Sequence, residues 1–214
     1  MRVIIFTWEF PPRITGQLAY YVNRLAAELV KKNVDVYVVT YNDSWTGFHQ
    51  GADGIKAYRI ADKVQPHINI LTWMLSLNQE AERVAADIYY STKHELDVID
   101  VHDWHFVPAA VTLKKALRIP YVFSIDSIEP HRSRNSGAPL SSSIRSMESL
   151  GLSEAARILV KSEWMKQELK RYYNTSDNVV DVVSPDAGSW MNRILGAYQR
   201  RWGVPVNWTD FFES

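Results

Sequence analysis

The sequence contains no cysteine among its 214 residues. This absence excludes disulfide-stabilised scaffolds, zinc sites with thiolate ligands and thiol nucleophiles. The sequence also lacks an apolar run long enough to span a bilayer, and the apolar stretch after Met1 is too short for a signal peptide. We therefore expect a cytoplasmic protein without a membrane-spanning segment.

An excess of charge of one sign is also lacking, because 24 lysines and arginines balance 24 aspartates and glutamates. A neutral chain produces no overall field that would attract nucleic acid or an anionic membrane, so neither is an expected partner. Glycine is scarce, with 9 residues, and no GxGxxG motif occurs, which argues against a dinucleotide site. We expect no bound cofactor.

The chain does have a regular alternation of two hydrophobic periods. Branched apolar residues over Arg2 to Phe6 and Asp35 to Thr40 predict buried strands. Between them, apolar residues recur at helical spacing from Gly16 to Val30, which predicts a helix. Further strands are predicted at 55–60, 97–101, 121–125, 158–160 and 179–183, and further helices at 70–93, 107–117, 147–156 and 163–172. This order predicts an α/β fold with a doubly wound, mostly parallel sheet flanked by helices.

The end of the chain differs in composition from the rest. Residues 1–187 carry the strand and helix pattern, whereas 188–214 are rich in tryptophan, tyrosine and phenylalanine in a polar background. Such a tail needs apolar contacts, so we predict that it packs back on the domain or against a partner chain. The serine-rich segment from His131 to Ser143 predicts a mobile loop, which either lines a site or is an idle surface loop.

A group of aromatic and ionisable side chains follows the predicted strand that ends at Val101. The segment is His102-Asp103-Trp104-His105. It combines hydrogen-bonding groups with an apolar indole, a mixture that suits a sugar ring. In the structural alternative, Asp103 caps the next helix and Trp104 belongs to the core, which is compatible with a functional His105. A metal site is disfavoured, because the two histidines are three residues apart with no third ligand nearby.

Four motifs occur in an order that resembles the N-terminal half of glycogen and starch synthases. They are Glu9-Phe10-Pro11-Pro12 with Thr15-Gly16, His102-Asp103-Trp104-His105, Ser124-Ile125-Asp126-Ser127-Ile128-Glu129-Pro130, and Ser184-Pro185-Asp186. The resemblance covers residues 1–187. It implies a retaining glycosyltransferase of the GT-B fold, in which two Rossmann-like domains face each other across a cleft. The chain would then be one Rossmann-like half.

The resemblance also implies which residues form the site. His105 matches the family residue that touches the sugar at the reaction centre, so it is the candidate catalytic residue. The candidate substrate-binding residues follow three of the predicted strands: Gly16, Gln17, His102, Asp103, Trp104, Asp126 and Glu129. Taken without the resemblance, Gly16 indicates either a simple turn into a helix or a close approach of backbone to a ligand.

The chain departs from the family at three positions. Ile14 stands where the family has lysine and Gln17 where it has a second glycine, so a cation and a close backbone approach are lost. Arg13 is the candidate replacement for the lysine, whereas we expect Lys161 to be a solvated surface charge. Asp126 stands where the family usually has histidine.

Together these features predict the glucan-acceptor side of a glycosyltransferase that lacks the donor-binding C-terminal domain and is inactive alone. Its ligands would be a glucan or maltooligosaccharide and, only with a complementary donor domain, UDP- or ADP-glucose. A protein partner or a homo-oligomer would supply that domain. The alternative is a non-catalytic sugar-binding module that keeps the fold. A flavodoxin-like nucleotide binder is a weaker alternative, because the glycine fingerprint is missing.

Overall fold

The computed structural model describes residues 1–62 and 66–199, and within them a sheet of eight strands forms the centre of the molecule. The strands are β1 (Arg2–Thr7), β2 (Asp35–Tyr41), β3 (Gly47–Gln50), β4 (Lys56–Ile60), β5 (Val98–His102), β6 (Tyr121–Ile125), β7 (Arg157–Val160) and β8 (Val180–Val182). Their order is β3-β4-β2-β1-β5-β6-β7-β8. Neighbouring strands are parallel except β3 and β4, which are antiparallel.

Helices cover both faces of this sheet. They are α1 (Gln17–Lys31), α2 (Ile70–Ser91), α3 (Val107–Leu117), α4 (Glu129–Arg132), α5 (Ser141–Glu154), α6 (Glu163–Tyr173) and α7 (Trp190–Gln199), with a short 3-10 helix at Trp104–Phe106. Helices α1 and α7 pack on one face, and α2, α3, α5 and α6 pack on the other. The order of the strands reverses at β1, which has β2 on one side and β5 on the other. The predicted fold class, a doubly wound and mostly parallel sheet flanked by helices, is confirmed.

Strand β1 lies at the centre because its side chains are apolar on both faces. Val3 and Ile5 belong to the core on the α1 side, whereas Ile4 and Phe6 belong to the core on the α2 side, and all four are fully buried. Burying a side chain of this size stabilises a fold by roughly 1.5–3 kcal/mol. The continuous apolar run is therefore what places the loop after β1 at the middle of the sheet edge.

Strand β3, the short helix α4 and the start of α5 differ from the sequence prediction. Strand β3 was not predicted, because all four of its residues are exposed and it shows no apolar alternation. Helix α5 begins at Ser141 rather than at Met147, since a run of serines precedes its first buried apolar residue, Ile144. The loop predicted at 131–143 is consequently shorter, and its first residues form the end of α4.

Helix α2 positions the backbone of His105 and the start of α3. Its start is capped by Asn69, whose Oδ1 accepts hydrogen bonds from the amides of Leu71 and Thr72. Further along the helix, the buried Asn78 donates to the His105 carbonyl oxygen over 2.8 Å and accepts from the Ala109 amide over 2.9 Å. Neither α2 nor any other described helix is both long and apolar enough to cross a membrane.

Helix α7 packs on the α1 face of the sheet. Its residues Trp190, Ile194 and Tyr198 are buried in the core on this face, and the Trp190 ring lies 6.2 Å from that of Tyr21 on α1. The Tyr198 hydroxyl donates a hydrogen bond to Oδ2 of Asp100, a fully buried carboxylate on β5. The remaining aromatic residues of the predicted tail, at 200–214, lie outside the described residues.

Candidate functional site

The carboxyl ends of β1, β5 and β6 bring three polar segments to one edge of the sheet. The segments are residues 8–17, 102–106 and 126–132. In an open parallel sheet, ligands bind at this edge, where the strand order reverses. Asp103 joins two of the segments, because its Oδ1 accepts hydrogen bonds from the amides of Asp126 at 2.9 Å and Ser127 at 3.2 Å.

His105, the candidate catalytic residue, lies half-buried on the 3-10 helix between two tryptophan rings. Its imidazole stacks on Trp8 with ring centroids 5.0 Å apart and on Trp104 with centroids 4.5 Å apart. Within the described residues, its Nδ1 is buried and has no hydrogen-bond partner. A buried nitrogen without a partner is uncommon in native proteins and calls for an explanation such as a ligand or a water.

The protonation state of His105 follows from these surroundings. Burial, together with the positive charges of Arg132 and Arg13, lowers the pKa of His105 to about 3. The imidazole is therefore neutral at physiological pH, with one nitrogen that donates and one that accepts a hydrogen bond. Such a group can bind a sugar hydroxyl but cannot act as a cationic acid.

Asp103 does not cap the following helix, which corrects the structural alternative given above. Its side chain makes no capping hydrogen bond, because both carboxylate oxygens turn towards the loop after β6. Burial raises the pKa of Asp103 to about 6, and the hydrogen bond from the Asp126 amide opposes that rise. Asp103 thus fixes the relative positions of the segments after β5 and β6.

His102 and Trp104 are packed inside the protein. His102 is 1% exposed, its Nε2 lies 3.2 Å from Oδ2 of Asp100, and its ring meets the edge of Tyr21. Trp104 is also buried, as the structural alternative expected. Both residues support the site from within, and their predicted contact with a substrate stays a prediction.

Glu129 lies at the start of α4 and is buried as well. Its Oε2 lies 3.3 Å from Nε of Arg132, and its amide donates to the buried Glu148 carboxylate at 2.9 Å. Arg132 in turn pairs with Glu148. These contacts fix α4 against α5, and they engage the Arg132 guanidinium beside the site.

The entrance to α1 is held by a carboxylate of the protein itself. Glu9 is buried, and its Oε2 accepts hydrogen bonds from the amides of Thr15 and Gly16, both at 2.6 Å, and from the Thr15 hydroxyl. A Cβ added at Gly16 would lie 3.2 Å from Glu9 Oε1, so a side chain there would press on the carboxylate. Gln17 begins the helix and is exposed. Glu9 therefore fills the position in which a helix N-terminus commonly binds an anion.

Arg13 and Lys161 both contact other side chains of the protein. Arg13 lies over the rings of Trp8, at 4.7 Å, and Tyr41, at 4.8 Å, and donates to the Trp8 carbonyl oxygen. Its contacts are thus on the loops after β1 and β2 and not at the first turn of α1. Lys161 pairs with Asp126 and lies over the ring of Tyr21, which corrects the expectation of a solvated surface charge.

The crevice between Lys161 and Asp126 is small. It is lined by Leu18, Tyr21, His102, Ser124, Asp126 and Lys161, among others, and has a volume of about 10 Å³. That volume accommodates about one water molecule. Among the described residues, no three histidine, cysteine, aspartate or glutamate side chains are grouped so that they could hold a metal ion.

Comparison with known proteins assigns this arrangement to a family. Residues 16–186 match the model of the glycosyl transferase 4-like domain. The chain belongs to the glycosyl transferase 4-like family. The matched range contains all of the candidate site residues, from Gly16 to Glu129.

Relatives with longer chains share this domain. An uncharacterized glycosyltransferase, MJ1607, of Methanocaldococcus jannaschii is 33% identical over 196 residues, which are 89% of this chain and 47% of the relative. Glycogen synthase of Mycobacterium tuberculosis is 25% identical over 206 residues, which are 89% of this chain and 50% of the relative. The glycosyl transferase 4-like chain thus spans about half the length of the curated relatives it matches.

A solved structure shows the same fold. Sucrose-phosphate synthase of Thermosynechococcus elongatus superimposes with a TM-score of 0.71 at 13% identity, over 86% of this chain and 47% of that one. The glycosyl transferase 4-like domain is therefore one Rossmann-like half of a GT-B fold. The resemblance to the N-terminal half of GT-B glycosyltransferases is confirmed.

Three residues of this glycosyl transferase 4-like domain shape the site but were not among the predicted site residues. Trp8 stacks on His105, Glu9 holds the loop before α1, and Asn78 holds the His105 backbone. Glu9 belongs to the Glu9-Phe10-Pro11-Pro12 motif, but it precedes Thr15 and Gly16 by six and seven residues, a spacing that matches no common helix-capping pattern. Asn78 carried a weak signal, as a polar residue on the buried face of a predicted helix.

Proposed function

We propose that the chain is the acceptor-side half of a glucosyltransferase, which binds a glucan or maltooligosaccharide while a complementary domain binds UDP- or ADP-glucose. The observation that carries the proposal is the half-buried His105 imidazole between Trp8 and Trp104, with its Nδ1 unpartnered among the described residues. Sugars bind through hydrogen bonds to hydroxyl groups and through apolar contact with aromatic faces. The glycogen synthase relative supports a glucan as the acceptor.

In this function His105 is a hydrogen-bonding residue at the reaction centre. Its backbone is fixed by Asn78, and the neighbouring loop is fixed by Asp103. A group held in this way needs little reorganisation when the substrate binds, so its hydrogen bond is available in the transition state. The low pKa of His105 keeps the imidazole neutral, which suits contact with a hydroxyl group rather than proton donation.

Transfer from a nucleotide-sugar also requires cations that stabilise the departing diphosphate. At the described edge, Lys161 is paired with Asp126 and Arg132 with Glu129 and Glu148. Glu9 adds a negative charge at the entrance to α1. The complementary domain, on a partner chain or a second copy, would therefore supply the cations, and this half alone would be inactive.

Calorimetric titration of the purified chain tests the proposal. Maltoheptaose should bind, and His105→Ala should weaken its affinity by about 1 kcal/mol, the worth of about one hydrogen bond. His94→Ala is the matched control, because His94 packs on Tyr89 and Tyr90 at the far end of α2. Tight binding of UDP- or ADP-glucose by this chain alone that is lost in His105→Ala would contradict a half-enzyme. Normal maltoheptaose binding by His105→Ala would show that the stack is only structural.

One observation favours a second function, a non-catalytic glucan-binding module. Glu9 occupies the anion position at α1, and Gln17 stands at the first helical residue. The discriminating experiment adds the C-terminal half of MJ1607 as donor domain and measures glucosyl transfer to maltoheptaose. Transfer supports the half-enzyme. Glucan binding without transfer, also in Ile14→Lys with Gln17→Gly, supports the module.

A further inference from the structure

Arg59 on β4 is a buried cation whose hydrogen-bonding capacity is largely unused. It is 5% exposed, and one of its terminal nitrogens donates to the Pro11 carbonyl oxygen over 2.6 Å. Its Nε and its other terminal nitrogen are buried and have no hydrogen-bond partner in residues 1–62 and 66–199. Burial lowers the pKa of Arg59, and no carboxylate of the described residues offsets the effect. A buried guanidinium of this kind is costly unless an acceptor reaches it.

A second arginine lies at the same loop and is also incompletely paired. Arg13 follows Pro11 in the chain, and its Nε is buried without a hydrogen bond among the described residues. The carboxylate of Asp43 lies 3.7 Å from this nitrogen, and the Asp43 side chain is 60% exposed. Because Asp43 is solvated and the distance is long, the pair contributes little stability and Asp43 is readily exchanged for another anion.

Residues 42–46, between β2 and β3, cover both arginines. Trp45 lies over the Arg59 guanidinium at 4.4 Å while 41% of its own surface remains exposed. Asp43 of the same segment contacts Arg13. Asn42 shapes the segment through its Oδ1, which accepts from the Ser44 amide at 2.9 Å. The segment thus places one indole on one arginine and one carboxylate beside the other.

We propose that residues 42–46 cover a phosphate-binding site in which Arg13 and Arg59 bind the phosphate group of a phosphomonoester. In the free chain, the Asp43 carboxylate is the anion beside Arg13, and the phosphate would replace it. Planar guanidinium groups match phosphate oxygens with paired hydrogen bonds, so two of them can satisfy one phosphate. The ligand enters when the segment moves, displacing Asp43 and uncovering Arg59.

The neighbouring groove is not part of this site. It has a volume of about 560 Å³, and its lining includes Phe48, Tyr58 and the carboxylates of Asp62, Glu80 and Asp87. Tyr58 and Ile60 belong to the α2 side of the sheet, whereas Ala57 belongs to the α1 side, and the alternation along β4 places the Arg59 side chain with Ala57. The arginine site is separate from His105 and requires no donor domain, so it stands or fails independently of the proposed function.

Calorimetry on the full chain at low and physiological salt tests the site with glucose 6-phosphate, inorganic phosphate and UDP, and with glucose as the uncharged control. We expect glucose 6-phosphate to bind and glucose to fail. Arg59→Gln and Arg13→Gln should each weaken binding at least tenfold, whereas Asp43→Asn should tighten it severalfold by removing the competing carboxylate. Arg193→Gln is the control, because Arg193 is exposed on α7 and its side chain bonds the Val182 carbonyl oxygen.

The outcomes separate the sources of the phosphate and decide the proposal. Inorganic phosphate or UDP binding that is lost in Arg59→Gln supports a phosphate site and identifies its preferred ligand by the order of affinities. Absence of binding by all three phosphate probes overturns it, as does binding that both arginine variants retain. If Arg59→Gln does not fold, Asp43→Asn decides, since an unchanged affinity in this surface variant also overturns the proposal.

Discussion

The entrance to α1 and the neighbouring ends of β4 and β5 share one edge of the sheet, but their polar groups are satisfied differently. At α1, the Glu9 carboxylate accepts hydrogen bonds from the amides of Thr15 and Gly16 and from the Thr15 hydroxyl. At β4 and β5, buried nitrogens of Arg59 and His105 have no partner among the described residues. The Glu9 carboxylate is therefore satisfied without a ligand, whereas the nitrogens of Arg59 and His105 are not.

This difference separates structural from functional polar groups. Buried donors and acceptors are nearly always paired in native proteins, and leaving one unpaired costs about 1–3 kcal/mol. Unpaired groups therefore concentrate where a ligand completes them. Removing a satisfied group should reduce the free energy of unfolding and leave ligand binding unchanged. Removing an unpaired group should weaken ligand binding without reducing the free energy of unfolding.

The largest effect is expected for Glu9→Ala. The substitution leaves two amides and one hydroxyl at the entrance to α1 without their charged acceptor, which should reduce the free energy of unfolding by about 3 kcal/mol. Urea denaturation measures this loss. Glu163→Ala, at the exposed first turn of α6, is the control and should cost about 0.5 kcal/mol. A loss for Glu9→Ala as small as the control's would mean that other contacts hold the loop.

The pH dependence of stability sharpens the comparison at the end of β5. The pKa of His105 falls from 6.5 to about 3 on folding, so its contribution is present above pH 6.5 and is lost as the pH falls towards 3. The pKa of Asp103 rises from 3.8 to about 6, so its contribution is present below pH 3.8 and is lost as the pH rises towards 6. Between these limits the two slopes oppose each other, each by up to about 1.4 kcal/mol per pH unit.

Two variants isolate the slopes. In His105→Gln the Asp103 slope is no longer opposed by that of His105, so between about pH 4 and about pH 6 the free energy of unfolding should fall with rising pH relative to the unmutated chain. In Asp103→Asn the His105 slope is unopposed, so it should rise relative to the unmutated chain over the same range. Urea denaturation of all three proteins at several pH values gives the two differences, and differences of the same sign would contradict these protonation states.

The sequence was sufficient for most of the fold, because strands such as β1 and helices such as α1 carry clear hydrophobic periods. It was insufficient for β3, which has no buried face, and for the start of α5, where serines hide the period. The segment containing His105 was found from its residue types and the resemblance. Its stacking on Trp8 depends on β5 lying beside β1, which no local pattern specifies.

The remaining features depend on contacts between distant segments. Arg59 lies inside a predicted strand and gave no signal, because its burial results from Pro11 and Trp45 closing over it. Lys161 was expected to be solvated, since its partner Asp126 is 35 residues away in the chain and meets it only through the pairing of β6 with β7. Such pairings are set by the order of strands in the sheet.

The smallest effect is expected for Lys161→Met, which tests whether Asp126 alone satisfies Lys161, as Thr15 and Gly16 satisfy Glu9. The Lys161 and Asp126 side chains are 32% and 30% exposed, so water screens the pair and its loss should cost about 0.5 kcal/mol of stability. Lys170→Met removes a pair in which both side chains are more than half exposed, and should cost less. Maltoheptaose affinity should stay unchanged in both variants, because the crevice beside Lys161 accommodates about one water molecule. If Lys161→Met weakens maltoheptaose binding, the crevice opens to the ligand, and a group that is paired in the free chain must exchange its partner for a sugar hydroxyl.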